Sequence, residues 1–215
     1  MSYICGAGVR AVSDNARTQL VLDPTTGRPS TGSFGIMLGS VHCSFHKEIA
    51  PYRAYEMWSR VLAWDRKWMY IVTHYVPKGL GRPSEWLDPR FGRQNRSAGG
   101  DVAKDWEKKI HATAVSKYVF KLGRLTVHPA VILDASGLLP ERPGGWAVDD
   151  ATPAEDLPNS DLFSQPEKNE EWDWRRVEQR RRAGMEYAEK FHAMDQLQKL
   201  FDGGRGPVVG RFGPG

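Results

Sequence analysis

Cysteine is scarce in this chain: only Cys5 and Cys43 occur, beside eight tryptophans that can fill a core. A disulfide-stapled scaffold is therefore excluded, and two reduced thiols are the simpler state. In a reducing compartment the Asn95-Arg96-Ser97 sequon has no meaning. Long apolar runs are also missing; none approaches the roughly 18 to 20 residues of a membrane span. Met1-Ser2-Tyr3-Ile4-Cys5 meets Gly6 and Arg10 too soon to form a secretion signal, so a cytoplasmic protein is expected. No G-x-S-x-G elbow is present to start a serine mechanism of the α/β-hydrolase type. Gly35 and Gly39 fall inside a strand pattern with no Gly-Lys-Ser/Thr after them, which removes a phosphate-cradling loop and with it nucleotide hydrolysis. The net charge is +4 and the pI near 9.1, but the basic residues lie in mixed runs such as Glu178-Gln179-Arg180-Arg181-Arg182. No aromatic-basic signature accompanies them, so nucleic acid is not the expected ligand.

What is present is enough for one core with a tail: 215 residues, 40% hydrophobic. A short helix interrupted by Gly6 and Gly8 fits within Ser2–Asn15, followed by a strand over Thr18–Leu22 and the turn Asp23-Pro24-Thr25-Thr26-Gly27. Ser33–Lys47 reads as a long strand with Gly35, Met37, Gly39, Val41, Cys43 and Phe45 on a packed face and Ser40, His42, Ser44 and His46 on a wetter one. After Ile49-Ala50-Pro51 come Tyr55–Trp64 and Trp68–Val76, joined by Asp65-Arg66-Lys67 as an antiparallel hairpin. Residues 77–109 form an excursion loop rich in Gly, Pro, Arg and Ser. His111–Leu122 resumes the strand pattern, and Pro129–Ala135 fits a short helix with Pro in its first turn and Gly137 past its end. These residues make a domain over 1–139. A flexible, acidic and Pro-rich linker at 140–170 leads to an amphipathic helix at 171–203, with Trp174, Val177, Gly184, Ala188, Phe191, Met194, Leu197 and Phe201 at helical steps. The helix either docks on the sheet or a partner, or stays exposed. Glu178–Arg182, Glu186–Lys190 and Asp195–Lys199 are spaced as four-residue ion pairs. The fold class is α+β.

Polar groups inside apolar strands are the candidates for chemistry. His42, Cys43 and His46 do not make a metal cluster, because in a strand the two histidines stand roughly 13 Å apart and the cysteine faces the other way. Neither a metal nor another cofactor is expected. Arg60, Tyr118, Asp65 and His74 are the candidate catalytic groups, each with a structural alternative. Arg60 is an anchor for a carboxylate, enolate or phosphopantetheine oxygen, or a partner for Glu56; Asp65, between Trp64 and Trp68, is a base or a turn residue. Trp58, Trp64 and Tyr70, with Lys117, are candidate substrate-binding residues that line an acyl channel or, alternatively, belong to the core.

The stretches Gly35-Ile36-Met37-Leu38-Gly39-Ser40-Val41 and Tyr55-Glu56-Met57-Trp58-Ser59-Arg60-Val61-Leu62-Ala63-Trp64-Asp65-Arg66-Lys67-Trp68-Met69-Tyr70 carry a resemblance. So do Lys117-Tyr118-Val119-Phe120-Lys121-Leu122-Gly123-Arg124-Leu125-Thr126, Ala135-Ser136-Gly137-Leu138-Leu139-Pro140 and the Trp174–Phe191 segment. Together they resemble the fungal thioesterase-like family related to thioesterase superfamily member six. That resemblance implies a hot-dog fold, an antiparallel sheet wrapped around a central helix, and a homodimer with sites at the subunit interface. It also implies release or lactonising cyclisation of an acyl or polyketide thioester, held on a carrier protein or coenzyme A, in fungal secondary metabolism. Members of that family have a first strand, an Asp-x-Asn-x-His-like segment and a long helix ahead of the region matching Val9-Arg10-Ala11-Val12-Ser13-Asp14. On that basis the chain is expected to begin inside the helix, with its central helix shortened and no counterpart of the usual acidic residue. The alternative function is a non-catalytic acyl-binding or interaction protein that retains the groove.

Overall fold

A computed structural model describes residues 21–22, 26–30, 32–81, 106–146 and 173–201. The expected helix within 2–15, most of the Thr18–Leu22 strand, the body of the excursion loop and most of the linker lie outside the described residues. The strands are β1 (Phe34–Phe45), β2 (Tyr55–Trp64), β3 (Trp68–Pro77), β4 (Ala112–Leu122) and β5 (Leu125–Val127); the helices are α1 (Pro129–Ala135) and α2 (Trp174–Ala193), and a 3-10 turn follows at Met194–Leu200. All strand pairs are antiparallel, in the order β1-β4-β3-β2, with β5 folding back on β4. The architecture is the expected α+β one, an antiparallel sheet of five strands with a C-terminal helix.

Local chemistry accounts for most of the boundaries. The β2–β3 turn is closed by Asp65, whose Oδ1 accepts from the backbone N–H groups of Lys67 at 2.6 Å and Trp68 at 2.7 Å. Helix α1 starts on Pro129, with His128 Nδ1 accepting from Ala130 N at 3.1 Å, and ends before Gly137, whose φ of +66° suits a residue without Cβ.

Two bulges break the alternation that the sequence suggests. The β1–β4 register slips between Leu38 and Ser40 and the β2–β3 register between Val61 and Ala63. An extra residue reverses which parity faces which side. In β1, Phe34 and Ile36 therefore share a face with Val41, Cys43 and Phe45, while Met37 turns to the side of Ser40 and His42. The single packed face expected for Gly35, Met37, Val41 and Phe45 is thus corrected: Met37, Val41 and Phe45 are all more than half exposed.

The two faces of the sheet have different covers. On one, Phe34, Ile36, Met69, Ile71, Phe120 and Leu122 pack with α1 and Trp146. On the other, Ala63, Tyr70 and Trp68 pack with Ala188, Phe191 and Met185 of α2. The C-terminal helix therefore docks on the sheet, the first of the two alternatives. Its closest approach is at Gly184, which rests on the backbone of Leu62 in the β2 bulge. The expected apolar stripe is buried at Val177, Gly184, Ala188 and Phe191, but Met194, Leu197 and Phe201 beyond it are exposed.

Polar contacts hold both ends of α2. Glu178 is fully buried and takes Arg181 Nε at 2.8 Å, Arg181 Nη2 at 2.9 Å and Arg182 Nε at 2.9 Å, with Arg142 Nη1 at 3.6 Å. Arg181 also donates from Nη1 to the carbonyl of Trp64 at 3.0 Å, tying the helix to the end of β2. Burial pushes the Glu178 carboxyl up, but the hydrogen bonds and charge of Arg181, then Arg182 and Arg142, outweigh it and hold the pKa below the ordinary value. At the far end Asp195 does not take Lys199, the partner suggested by spacing. It pairs with Lys117 of β4, accepts from Ser40 Oγ at 3.4 Å and meets His192 Nδ1 at 3.0 Å.

Candidate functional site

Register places a polar row across the face that carries α2. Trp58 of β2 stands opposite His74 of β3, His74 opposite Thr113 of β4, and Thr113 opposite Ser44 of β1. The next row on that face is Arg60, Val72, Val115 and His42. Neighbouring strands lie about 4.8 Å apart, so these side chains form one continuous shelf. The row after them, Ala63, Tyr70, Lys117 and Ser40, lies under α2. Phe191 is the wall where helix and shelf meet, its ring 6.5 Å from that of His42 and 6.4 Å from that of Tyr70.

On the shelf, His74 Nδ1 and Thr113 Oγ1 are 3.1 Å apart, and His42 Nε2 and Ser44 Oγ 3.3 Å. His74 is half-buried. Its pKa is lowered from the ordinary histidine value by that burial first, then by the positive charges of Arg60 and His46. Nδ1 thus faces Thr113, Nε2 is the ring's second nitrogen, and the lowered pKa favours the neutral imidazole on the same face of the sheet as Arg60. Arg60 itself forms no ion pair among the described residues. Glu56, the alternative partner, instead accepts from Trp58 Nε1 at 3.0 Å and Gly79 N at 3.2 Å.

The eight candidate residues thus divide. His74, Arg60 and Trp58 come together on the open shelf. Tyr70 and Lys117 share that face but are buried under α2: Lys117 pairs with Asp195 and lies 4.6 Å from the Trp68 ring centroid, and Tyr70 Oη donates to Asp65 Oδ2 at 3.1 Å. Burial, then the charge and hydrogen bond of Asp65 and the charge of Asp195, raise the Tyr70 phenol far above its ordinary pKa. Asp65 is the turn residue, with both oxygens engaged. Tyr118 faces the opposite side with Phe120, and Trp64 packs edge-on against Trp146 at 5.9 Å. Thr113, Phe191 and Asp195 were not among the site residues expected from the sequence, where Phe191 stood only in the helix stripe and Asp195 only as a partner for Lys199. Thr113 was legible as a strand residue on the same parity as Lys117, but its pairing with His74 depends on the β3–β4 register.

No protein-family model matches the chain. Among curated proteins it is 37% identical over 179 residues to the thioesterase poxG of Penicillium oxalicum, covering 83% of this chain and 52% of that protein. It is 33% identical over 181 residues to the probable thioesterase atnL of Emericella nidulans, covering 81% of this chain and 50% of the relative. With the thioesterase lcsJ of Purpureocillium lilacinum the identity is 28% over 162 residues, 74% of this chain and 43% of the relative. The chain spans about half the length of the curated relatives it matches. Over most of its length the chain is thus similar to fungal proteins named thioesterase or probable thioesterase.

Proposed function

We propose that the chain is a thioesterase that releases an acyl or polyketide group from a carrier thioester, with the shelf beside α2 as its reacting surface. The observation that carries this reading is the pairing of His74 with Thr113 beside Arg60, in a chain similar to fungal proteins named thioesterases. Thr113 orients the imidazole, and His74 Nε2 takes a proton from the attacking water. The tetrahedral oxyanion forms next to the Arg60 guanidinium, which stabilises the developing charge. Collapse breaks the C–S bond, and the imidazolium returns its proton to the leaving thiolate. Lactonisation follows the same path with a hydroxyl of the bound chain in place of water. Trp58 and Phe191 offer apolar surface for that chain.

A hot-dog architecture fits the antiparallel sheet, whose face away from α2 leaves Leu38, Val41, Phe45, Tyr55 and Met57 exposed. On this reading a central helix covers that face, the active unit is a homodimer, and the enzyme works in the cytoplasm, taking its thioester from coenzyme A or a carrier protein. No described helix is long and apolar enough to cross a membrane. The test is turnover: purified protein is incubated with thioesters of graded chain length and a polyketide mimic, and thiol release is followed. Release that falls at least a hundredfold in His74→Gln with the fold intact supports the proposal; no release above buffer from any substrate overturns it.

A further inference from the structure

We infer that Lys117 reads a carboxylate at the far end of the acyl chain, and that Asp195 holds that place until such a chain displaces it; this rests on the thioesterase reading above. The Lys117 ammonium is built into the sheet. Its side chain is 4% exposed and stands 4.6 Å from the Trp68 ring centroid and 5.9 Å from that of Phe191. Gly39 makes room for this arrangement, since an added Cβ would come within 2.6 Å of Trp68 Cζ3 and 3.2 Å of Lys117 Cε. Among the described residues the one anionic partner of Lys117 is Asp195, whose side chain is 29% exposed and so has a way out into water.

Asp195 belongs to a turn that is seated lightly. The 3-10 turn Met194–Leu200 buries no residue, and Leu197 and Leu200 are exposed. Among the described residues, its hydrogen bonds and ion pairs to the sheet all run through this one carboxylate, to Lys117 and Ser40. A buried ammonium cannot lose its counter-charge without a large penalty, but it can exchange one carboxylate for another. The turn therefore lets go when a second anion arrives. Register sets where that anion comes from. Lys117 stands opposite Tyr70 and Thr113 opposite His74, all on the α2 face, and the β3–β4 pairing runs between them without a slip. Four residues of strand separate the two pairs, about 13 Å along the sheet. Val72 and Val115 lie between them as an apolar floor, and the Phe191 ring stands over the far end. A chain whose thioester carbonyl sits at His74 thus lies along the floor, and a carboxylate about 13 Å farther on meets Lys117 beneath Phe191. A chain ending in a methyl group has no charge to put in the place of Asp195.

The probes are non-hydrolysable amide analogues of acyl-pantetheine thioesters, in two series of graded length that end in a carboxylate or in a methyl group. Calorimetry on the full chain is expected to give a preference of about tenfold or more for the acid-ended ligand once the chain spans about 13 Å, and none for shorter chains. Binding of that ligand is expected to speed amide hydrogen exchange across Met194–Leu200, because the turn loses its tie to the sheet. In Lys117→Met the two series are expected to bind alike. Asp195→Asn is the second variant: the ligand is then the counter-charge that Lys117 lacks, so acid-ended ligands are expected to raise Tm more in Asp195→Asn than in the wild type. Equal affinity for the two series at every length in the wild-type chain, or no binding of either, overturns the inference. So does a preference that survives Lys117→Met, or exchange at Met194–Leu200 that is unchanged or slower on binding. A preference without turnover of the matching thioesters leaves the Lys117 site standing and removes the thioesterase reading; turnover without a preference does the reverse.

Discussion

Gly184→Ala is the substitution that most directly questions how α2 is seated. An added Cβ would overlap the Leu62 carbonyl oxygen and stand 2.9 Å from the Leu62 carbonyl carbon and 3.1 Å from Ala63 Cβ. Carbon atoms settle at about 3.5–4.0 Å, so the helix or the β2 bulge has to give by the better part of an ångström. The obstacle is backbone in a paired strand, not the end of a flexible side chain, which places the cost toward the upper part of the roughly 1–3 kcal/mol usual for overpacking. Replacing glycine by alanine inside a helix returns about 1 kcal/mol. The net expectation is a loss of about 2 kcal/mol, or roughly 4–8 °C in Tm for a chain of this size. Thermal unfolding followed by circular dichroism measures it, with the exposed Glu186→Ala as a comparator expected to stay within about 0.5 kcal/mol. Because α2 also carries Phe191 at the edge of the shelf, a retreating helix widens the shelf and, on the proposed thioesterase function, raises KM for thioesters. An unchanged or raised Tm in Gly184→Ala would refute the contact and the docking built on it.

Three further outcomes follow from the charged groups. His74 has a lowered pKa, so as the base its neutral form persists below the ordinary histidine range. The rate is therefore expected to rise with pH through a midpoint below the ordinary histidine value of 6.5, and a profile with its midpoint above 6.5 would exclude His74. Glu178→Gln leaves buried guanidiniums facing a neutral amide and is expected to cost about 3 kcal/mol or more, read from urea unfolding. Since the folded pKa of Glu178 is depressed, the stability it confers is present above its unfolded pKa, near 4.5, and is lost as pH falls through the lower folded value. The wild-type acid limb should therefore be steeper than that of the variant. Lys117→Met removes the partner of Asp195 and is expected to speed amide hydrogen exchange across Met194–Leu200 while sparing Trp174–Arg182; uniform exchange along α2 would show that Lys117 does not hold that end.

Sequence alone determined the parts of this protein that depend on neighbours along the chain. The β2–β3 hairpin, the β4 alternation, helix α1 between Pro129 and Gly137 and the amphipathic helix from Trp174 were all legible, because turn chemistry, capping and side-chain period act over a few residues. Asp65 as a turn residue and the Glu178–Arg182 pair were legible for the same reason. The tertiary structure decided what depends on register. The slips after Leu38 and Val61 put Met37 on the α2 face and left Val41 and Phe45 with Phe34 and Ile36, which no alternation pattern reveals. Docking of α2 then separated the candidates, burying Lys117 and Tyr70 and leaving His74, Arg60 and Trp58 in the open. It also made Asp195 a partner for a lysine 78 residues away instead of the one four residues on. A buried ammonium requires its counter-charge from whichever element covers it, and only the packed chain fixes which element that is.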